Sequence, residues 1–195
     1  LPILRVPLFI DFPGNTLKGD SCVVPVTGAD LYPTFLDMAG IPLMPGQHQD
    51  GVSLLPLLQG KSIPERALYW HYPHYGNQGG EPSSIIRQGD WKLIHYYEDG
   101  RDELYNLRID ETESEPLNVQ YPEKVEFLSK KLSVWLTEVG ARYPEPDPQY
   151  NPAAEALYKK KTRERMMKTL EATRKKQLGK DFKPNADWWG SETKD

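Results

Sequence analysis

The stretch SSIIRQGDWKLIHYYEDGRDELYNL, at residues 83–107, decides the fold of the central part of the chain. It holds three runs of aromatic and branched side chains, which are typical of strands. Gly89-Asp90 separates the first two runs and suits a two-residue type II′ hairpin turn, and Asp99-Gly100 is a second hairpin signal. An aromatic run, ALYWHY, precedes them at residues 67–72. Together these patterns predict a small antiparallel sheet of three or four strands.

A helical pattern follows the predicted sheet. Pro122 stands where a first turn would begin, and Gly140 would end the helix. The apolar side chains in between recur every three or four residues: Val125, Leu128, Leu132, Trp135, Leu136 and Val139. We expect this face to pack on one side of the sheet, because neither element buries its apolar side chains alone.

Shorter elements are predicted in the first 60 residues. Residues 4–14 and 22–26 form short apolar runs that we interpret as pieces of a buried sheet. Asp30 is placed to cap a short helix, with Pro33 in its first turn. The predicted buried face of that helix consists of Leu31, Phe35, Met38 and Ala39. A second short helix is expected at residues 53–58.

The composition changes near the C-terminus. Four prolines in residues 143–152 predict an extended strap, and a basic, helix-prone stretch follows at 153–177. Residues 1–152 carry 12 basic and 21 acidic side chains, whereas residues 153–178 carry 9 basic and 3 acidic ones. We interpret the basic helix as an amphipathic arm that lies on an acidic surface, with binding of an anionic glycan as the alternative.

Composition excludes several classes of protein. The formal net charge of the 195 residues is −4, which argues against a dedicated nucleic-acid binder, and no apolar run approaches the roughly 20 residues of a membrane helix. Cys22 is the single cysteine, so an internal disulfide and a CxxC zinc site are excluded. The first residues lack a start methionine, a basic flank and a cleavage site, and therefore predict the interior of a longer protein.

Candidate binding residues lie on and near the Gly-rich loop at residues 73–82. Imidazole, amide and guanidinium groups there could hydrogen-bond sugar hydroxyls or an anionic group. The predicted substrate-binding residues are His71, His74, Asn77 and Arg87, with Gln78 beside them. The simpler interpretation is a turn whose histidines satisfy local backbone groups. The acidic cluster at 110–115 lacks the spacing of a calcium loop, and we predict no catalytic residue and no metal ligand in the chain.

Several blocks together carry a resemblance to a known family: RVPLFIDFPG, VTGADLYPTFLDMAGI, DGVSLLPLLQG, ERALYWHYP, IIRQGDWKLIHYYEDG and ELYNLRID. In this order and spacing they resemble the C-terminal part of a type I, formylglycine-dependent sulfatase, over residues 5–150. The resemblance implies an α/β protein of the alkaline phosphatase superfamily. Residues 1–60 would end its large α/β/α domain. Residues 61–141 would form a small α+β subdomain, an antiparallel sheet on one long helix, before the tail at 142–195.

The resemblance also implies a sulfuric ester hydrolase acting on a sulfated carbohydrate or an aryl sulfate. Such enzymes use calcium and a formylglycine made within a CxPSR or SxPSR motif. Neither motif occurs here, and Cys22 lies in SCVVPV, so it is not carried over as the nucleophile. We therefore expect the reactive groups on an N-terminal sulfatase domain, no cofactor on this chain, and no activity in isolation. The loop with His71 and His74 would form a wall of the pocket, and the location would be periplasmic or secreted.

Three alternatives remain at this point. A phosphonate monoester hydrolase or phosphodiesterase of the same superfamily would share these blocks. A non-catalytic module could instead bind a glycan or another polyanion through the basic helix. The chain could also be a truncated piece without an independent role.

Overall fold

The computed structural model describes residues 6–14, 21–76 and 80–183. The chain divides into two compact units, Leu1–Pro144 and Glu145–Asp195, and each is described by itself. The division expected from the sequence, at residues 60 and 141, stays a prediction.

The first unit contains a four-stranded antiparallel sheet in the order β1-β2-β3-β4. Its strands are β1 (Ala67–Tyr72), β2 (Ser83–Gln88), β3 (Trp91–Tyr96) and β4 (Asp102–Asn106). Gly89 has a φ of 57°, whereas Asp90 is not among the residues of positive φ, as a type II′ turn requires. The predicted sheet and its first hairpin turn are confirmed.

One long helix, α3 (Pro122–Glu138), packs on one face of the sheet. The core between them consists of Ile86, Leu93, Leu104, Leu128, Leu132 and Leu136. Burial of one such side chain contributes about 1.5–3 kcal/mol, so the three leucines hold the helix against the sheet. Val139 lies beyond the helix and is 50% exposed, so its place in the predicted face is wrong. The helix ends at Glu138, and Gly140 follows with a left-handed φ of 62°.

The opposite face of the sheet carries a second, smaller core of Ile94, Tyr105 and Leu107. A buried ion pair lies on this face, in which Lys92 Nζ donates to Glu113 Oε2 at 2.6 Å. Glu113 belongs to the long connection between β4 and α3 and has a left-handed φ of 56°. A buried charge is tolerated only with a close partner, so the two side chains must stay together. The pair therefore anchors this connection to the sheet.

Two short helices, α1 (Leu31–Met38) and α2 (Leu55–Leu58), precede the sheet. The buried residues at the start of α1 are Asp30, Pro33 and Thr34, whereas Phe35 is 60% exposed. The predicted face of Leu31, Phe35, Met38 and Ala39 is therefore wrong. Polar contacts set the orientation instead, because the Thr34 hydroxyl accepts from the Leu54 amide at 2.9 Å.

The apolar runs near the N-terminus are not strands. Residues 6–12 and 22–26 have no strand pairing within the described part of the chain. The side chains of Val6, Phe9 and Val23 are 79%, 88% and 95% exposed. A strand forms only where a neighbouring backbone accepts and donates its hydrogen bonds, and these runs have no such neighbour here. The expected buried sheet in this region is therefore wrong for this chain.

The second unit contains the basic helix α4 (Pro152–Gln177), which confirms the predicted element. The Asn151 side chain caps its N-terminus by accepting from the amides of Ala153 and Ala154. Three cations lie in its last turn, where they complement the helix dipole. None of its described side chains is buried. No helix in the described residues is long and apolar enough to cross a membrane.

Candidate functional site

A row of four polar residues crosses the sheet from edge to edge. His71 pairs with Ser84, Ser84 with His95, and His95 with Asp102, so the four side chains share one face of the four strands. This is the face that α3 covers, and the row lies two residues beyond the apolar core in each strand. The sheet therefore brings His71 and His95 together with partners that are distant in sequence.

Both ring nitrogens of His71 have partners within the chain. Nε2 lies 2.9 Å from the carbonyl oxygen of Arg142, and Nδ1 lies 2.7 Å from Ser84 Oγ. A carbonyl oxygen only accepts, so Nε2 is the donor in its hydrogen bond with Arg142. Tyr97 Oη lies 2.6 Å from Ser84 Oγ and extends this chain of hydrogen bonds. His71 thus fastens the segment after α3 to the end of β1.

The charge in the row lies at its other end. His95 Nδ1 is 2.8 Å from Asp102 Oδ1. This hydrogen bond raises the pKa of His95, with further help from the charges of Asp102 and Asp99 and against the effect of burial. Burial has the opposite effect on a phenol and raises the pKa of Tyr97. The Tyr97 ring packs edge-on against His71, His95 and Tyr143. The phenol therefore stays protonated at neutral pH and serves as a hydrogen-bonding group.

The Gly-rich loop presents its aromatic side chains to solvent. His74 is exposed, and its ring packs edge-on against Tyr72 with centroids 5.5 Å apart. Tyr72 and Tyr75 are 54% and 63% exposed. The neck of the loop is closed by a hydrogen bond from the Gly76 amide to the Gly80 carbonyl at 3.3 Å. Tyr72 pairs with Ser83 and therefore lies on the opposite face of the sheet from the polar row. Exposed rings of this kind can stack on an apolar face of a ligand while imidazole binds its hydroxyls.

Asn77 and Gln78, which were predicted from the sequence as part of the same loop, lie outside the described residues.

Arg87 does not join the histidines. It pairs with Leu68 and Lys92 across the strands, so it lies on the opposite face of the sheet from His71 and Ser84. Its Nε donates to the Gly89 carbonyl at 3.3 Å. Arg87 lines a separate cavity of about 230 Å³ together with Glu65 and Arg66.

The groups needed for bond cleavage do not converge at this site. Cys22 is exposed, and the described residues contain no group of three or more His, Cys, Asp or Glu side chains placed to hold a metal ion. In the acidic cluster, the Asp110 carboxylate accepts from the amides of Ser114 and Glu115 at 2.8 and 3.0 Å. These hydrogen bonds lower the pKa of the Asp110 carboxyl, and the one from the Glu115 amide has the largest effect. The Asp110 side chain therefore stabilises the turn at residues 110–115 in which it lies.

Several residues of the row were missed by sequence reasoning. Ser84 and Asp102 of the row, and Tyr97 next to it, belong to no sequence motif, and His95 lies within an apolar strand and is not among the predicted binding residues. A usable signal existed for one of them. With a two-residue turn at Gly89-Asp90, counting back from the turn places Ser84 opposite His95.

The sequence matches a known family over most of its length. Residues 2–141 match the family described as N-sulphoglucosamine sulphohydrolase, C-terminal. The chain belongs to this sulphohydrolase family. The resemblance to the C-terminal part of a sulfatase is therefore confirmed.

Two relatives of this member of the sulphohydrolase family are named sulfatases. A sulfatase of Formosa agariphila is 32% identical over 71% of this chain and 28% of its own length. An N-acetylglucosamine-6-O-sulfatase of Bacteroides thetaiotaomicron is 33% identical over 74% of this chain and 26% of its own. The chain thus spans about a quarter of the length of these relatives.

The crystal structure of Ps i-CgsB is similar in fold, with a TM-score of 0.53 and 23% identity over 64% of this chain and 27% of that one. The expected combination of a small antiparallel sheet with one long helix is confirmed.

Proposed function

We propose that the chain is the C-terminal part of a sulfatase that hydrolyses sulfate esters of carbohydrates. The observation that carries this proposal is the match of residues 2–141 to a family of sulphohydrolase C-terminal regions. The name of the Bacteroides relative, which specifies a 6-O-sulfated amino sugar, supports a sulfated amino sugar as the substrate.

The reactive groups of such an enzyme belong outside this chain in our proposal. The described residues do not supply a set of oxygen ligands that fits calcium, and Cys22 lies outside any CxPSR sequence. Calcium and formylglycine would therefore be held by an N-terminal sulfatase domain in a longer parent chain. A periplasmic or secreted location completes the proposal and rests on the family resemblance alone.

This part of the enzyme would contribute to substrate binding. We assign direct contact with the sugar to His74, because its exposed ring lies beside the exposed ring of Tyr72. Asn77 is assigned to the same role only on its place in the loop sequence. His71 would act as a positioning residue, since both of its ring nitrogens are engaged by Ser84 and Arg142. Arg87, on the other face of the sheet, would bind an anionic group of the substrate only if the substrate also reaches that face.

The first experiment compares the parent enzyme with the 195-residue chain. Release of sulfate is measured from 6-O-sulfated and N-sulfated glucosamine oligosaccharides and from a small aryl sulfate, with a phosphonate monoester as a competing substrate. We expect the parent to hydrolyse the sulfated sugars and the chain alone to hydrolyse none of them. Sulfate release by the purified chain, or a preference of the parent for the phosphonate, would overturn the proposal.

A second experiment tests the binding role of the loop in the parent enzyme. His74→Ala should lower kcat/KM for the sulfated sugar by about tenfold, since a lost hydrogen bond and ring contact cost on the order of 1.4 kcal/mol. The same variant should change turnover of the aryl sulfate by less than about twofold. Ile109→Ala, at a 73% exposed position on another loop, is the matched control. Equal losses on both substrates would contradict the assignment.

A further inference from the structure

Helix α4 carries its positive charge on two distinct faces. It has nine cationic and three acidic side chains, a net charge of +6 over 26 residues. A residue advances about 100° around an α-helix, so positions four, seven, fourteen and fifteen residues apart fall close together. One sector of about 100° therefore contains five cations and none of the glutamates. We call these residues the basic stripe: Lys161, Arg165, Lys168, Lys175 and Lys176.

The other cationic face is partly neutralised. Lys159 pairs with Glu155 at 2.7 Å, and Arg174 pairs with Glu171 at 3.2 Å. Leu170 and Met167 lie between these cations and dilute their charge. Between Lys161 and Lys176 the same sector holds only Ala172 besides the cations, whereas Leu157 and Tyr158 lie at the edges of the sector one turn before Lys161. All five side chains of the stripe are exposed.

We propose that the basic stripe binds a linear sulfated polysaccharide and tethers it to the enzyme. The stripe extends over about 22 Å of helix, long enough to meet several anionic groups of one polymer chain. Each sulfate group keeps its negative charge at any physiological pH, and flexible lysines meet such groups as point charges. Binding displaces the counterions of the polymer, which gives affinity without a shaped pocket. This inference rests on the proposed function for its choice of polymer.

Other polyanionic partners fit the stripe less well. A single-stranded nucleic acid needs aromatic platforms for its bases, and the stripe has Tyr158 at one end alone. An anionic membrane needs a continuous apolar face opposite the cations. The large apolar residues of α4 are instead scattered around its circumference: Leu157, Tyr158, Met166, Met167 and Leu170.

The functional consequence is a higher local concentration of substrate. A tethered polymer presents its next sulfate group to the catalytic part of the same molecule without a new bimolecular encounter. The stripe would therefore favour long substrates over short ones.

The test uses the full 195-residue chain and two variants of equal charge. Lys161, Arg165, Lys168 and Lys175 are replaced by Gln in the stripe variant, and Lys159, Lys160, Arg163 and Arg174 in the control variant. Each change moves the formal net charge from −4 to −8. Glutamine is a good helix former, so circular dichroism should show the same helix content in all three proteins. A milder double variant, Lys161→Gln with Lys168→Gln, replaces the stripe variant if it loses its helix.

Binding is measured by calorimetry with heparin, with chemically desulfated heparin, with single-stranded DNA and with phosphatidylserine vesicles. We expect the stripe variant to bind heparin at least about tenfold more weakly and with a log-log salt slope smaller by about 3, and the control variant to stay within about twofold. Desulfated heparin, DNA and vesicles should bind more weakly than heparin. Equal losses in both variants, or equal or tighter binding of any of the three other probes, would overturn the proposal.

Failure of this inference is distinguishable from failure of the proposed function, because the test measures binding and no sulfate release. Stripe-dependent heparin binding by a chain whose parent cleaves no sulfate ester would keep the stripe and remove the function. If the parent hydrolyses sulfated sugars but the chain does not bind heparin, the proposed function is kept and the proposal for the stripe is overturned.

Discussion

Asp30, which is fully buried, and Arg66, which is partly buried, form an ion pair that joins the start of α1 to the start of β1. Arg66 Nη2 donates to Asp30 Oδ2 at 2.5 Å, and Arg66 Nη1 donates to the Asp50 carbonyl at 2.9 Å. The Asp30 carboxylate also accepts from the amides of Thr27 and Val52. Its side chain has no exposed surface. The placement of the helical segment against the sheet therefore depends on one fully satisfied carboxylate.

Asp30→Ala should destabilise the first unit by about 2–4 kcal/mol, because it leaves a partly buried guanidinium without its carboxylate and two amides without their acceptor. The free energy of unfolding is measured by urea titration. Asp50→Ala is the control, since Arg66 contacts the Asp50 backbone and the change should cost less than about 0.5 kcal/mol. Similar small losses in the two variants would show that the ion pair does not hold the segment.

Gly51→Ala should destabilise the same region for a steric reason. A Cβ atom at this position would lie 2.2 Å from the carbonyl oxygen of Ala29 and 2.8 Å from its carbon, both backbone atoms that cannot move aside. We expect a loss of about 1–3 kcal/mol in thermal unfolding. Gly46→Ala is the matched control, because nothing lies within 4 Å of its added Cβ. A Gly51 variant as stable as the Gly46 variant would contradict this packing.

The contact between α3 and the sheet predicts a graded set of losses. Leu132 is 2% exposed, so Leu132→Ala should cost about 2–5 kcal/mol. Trp135 is half-buried and stacks on Tyr69 with ring centroids 4.8 Å apart, so Trp135→Ala should cost about 2–3 kcal/mol. Val134 lies on the exposed side of the helix, so Val134→Ala should lower the free energy of unfolding by less than about 0.5 kcal/mol. Chemical denaturation gives the three values, and a loss at Val134 as large as those at Leu132 and Trp135 would mean that a different face packs.

The His95–Asp102 pair predicts a specific dependence of stability on pH. The pKa of folded His95 is raised above its ordinary value of 6.5 by its hydrogen bond to Asp102. Its contribution to stability is therefore full below pH 6.5 and is lost as the pH rises through the raised value. His95→Gln should accordingly lower the urea midpoint more near about pH 5.5 than near about pH 8. Asp102→Asn should show the same trend, and a larger loss at the higher pH would contradict it.

The sheet was predictable because its turns are local features. A two-residue turn at Gly89-Asp90 fixes the register of β2 against β3 and hence the neighbours Ser84 and His95. The connection from β1 to β2 is ten residues long and sets no register by itself. The pairing of His71 with Ser84 therefore depends on tertiary packing that local pattern does not contain.

The predicted buried face of α1 and the predicted strand at 22–26 are both wrong. In the first, polar contacts determine which side of the helix is buried, and in the second, no neighbouring strand is present. Helix α1 faces the interior with Thr34, whose hydroxyl donates to the Asp30 carbonyl and accepts from Leu54. The apolar run at 22–26 has strand composition but no strand to pair with in the described chain. Hydropathy identifies which side chains favour burial, yet it does not supply the surface that buries them.

The candidate site was predicted in part. The loop and its histidines were identified by composition, because imidazoles beside glycines suggest binding. Arg87 was grouped with them by nearness in sequence, although three positions along a strand reverse the face on which a side chain lies. Alternation along β2 is enough to separate Arg87 from Ser84 once the strand bounds are known.

Helix α4 is self-contained in a way that the rest of the chain is not. It has an asparagine cap, a proline in its first turn, cations in its last turn and no buried side chain. At 26 residues it exceeds the length at which isolated helices become marginal in water. Its conformation is therefore encoded locally, and the segment is transplantable: fused to an unrelated carrier, it should keep its shape and bring its arrangement of charges along.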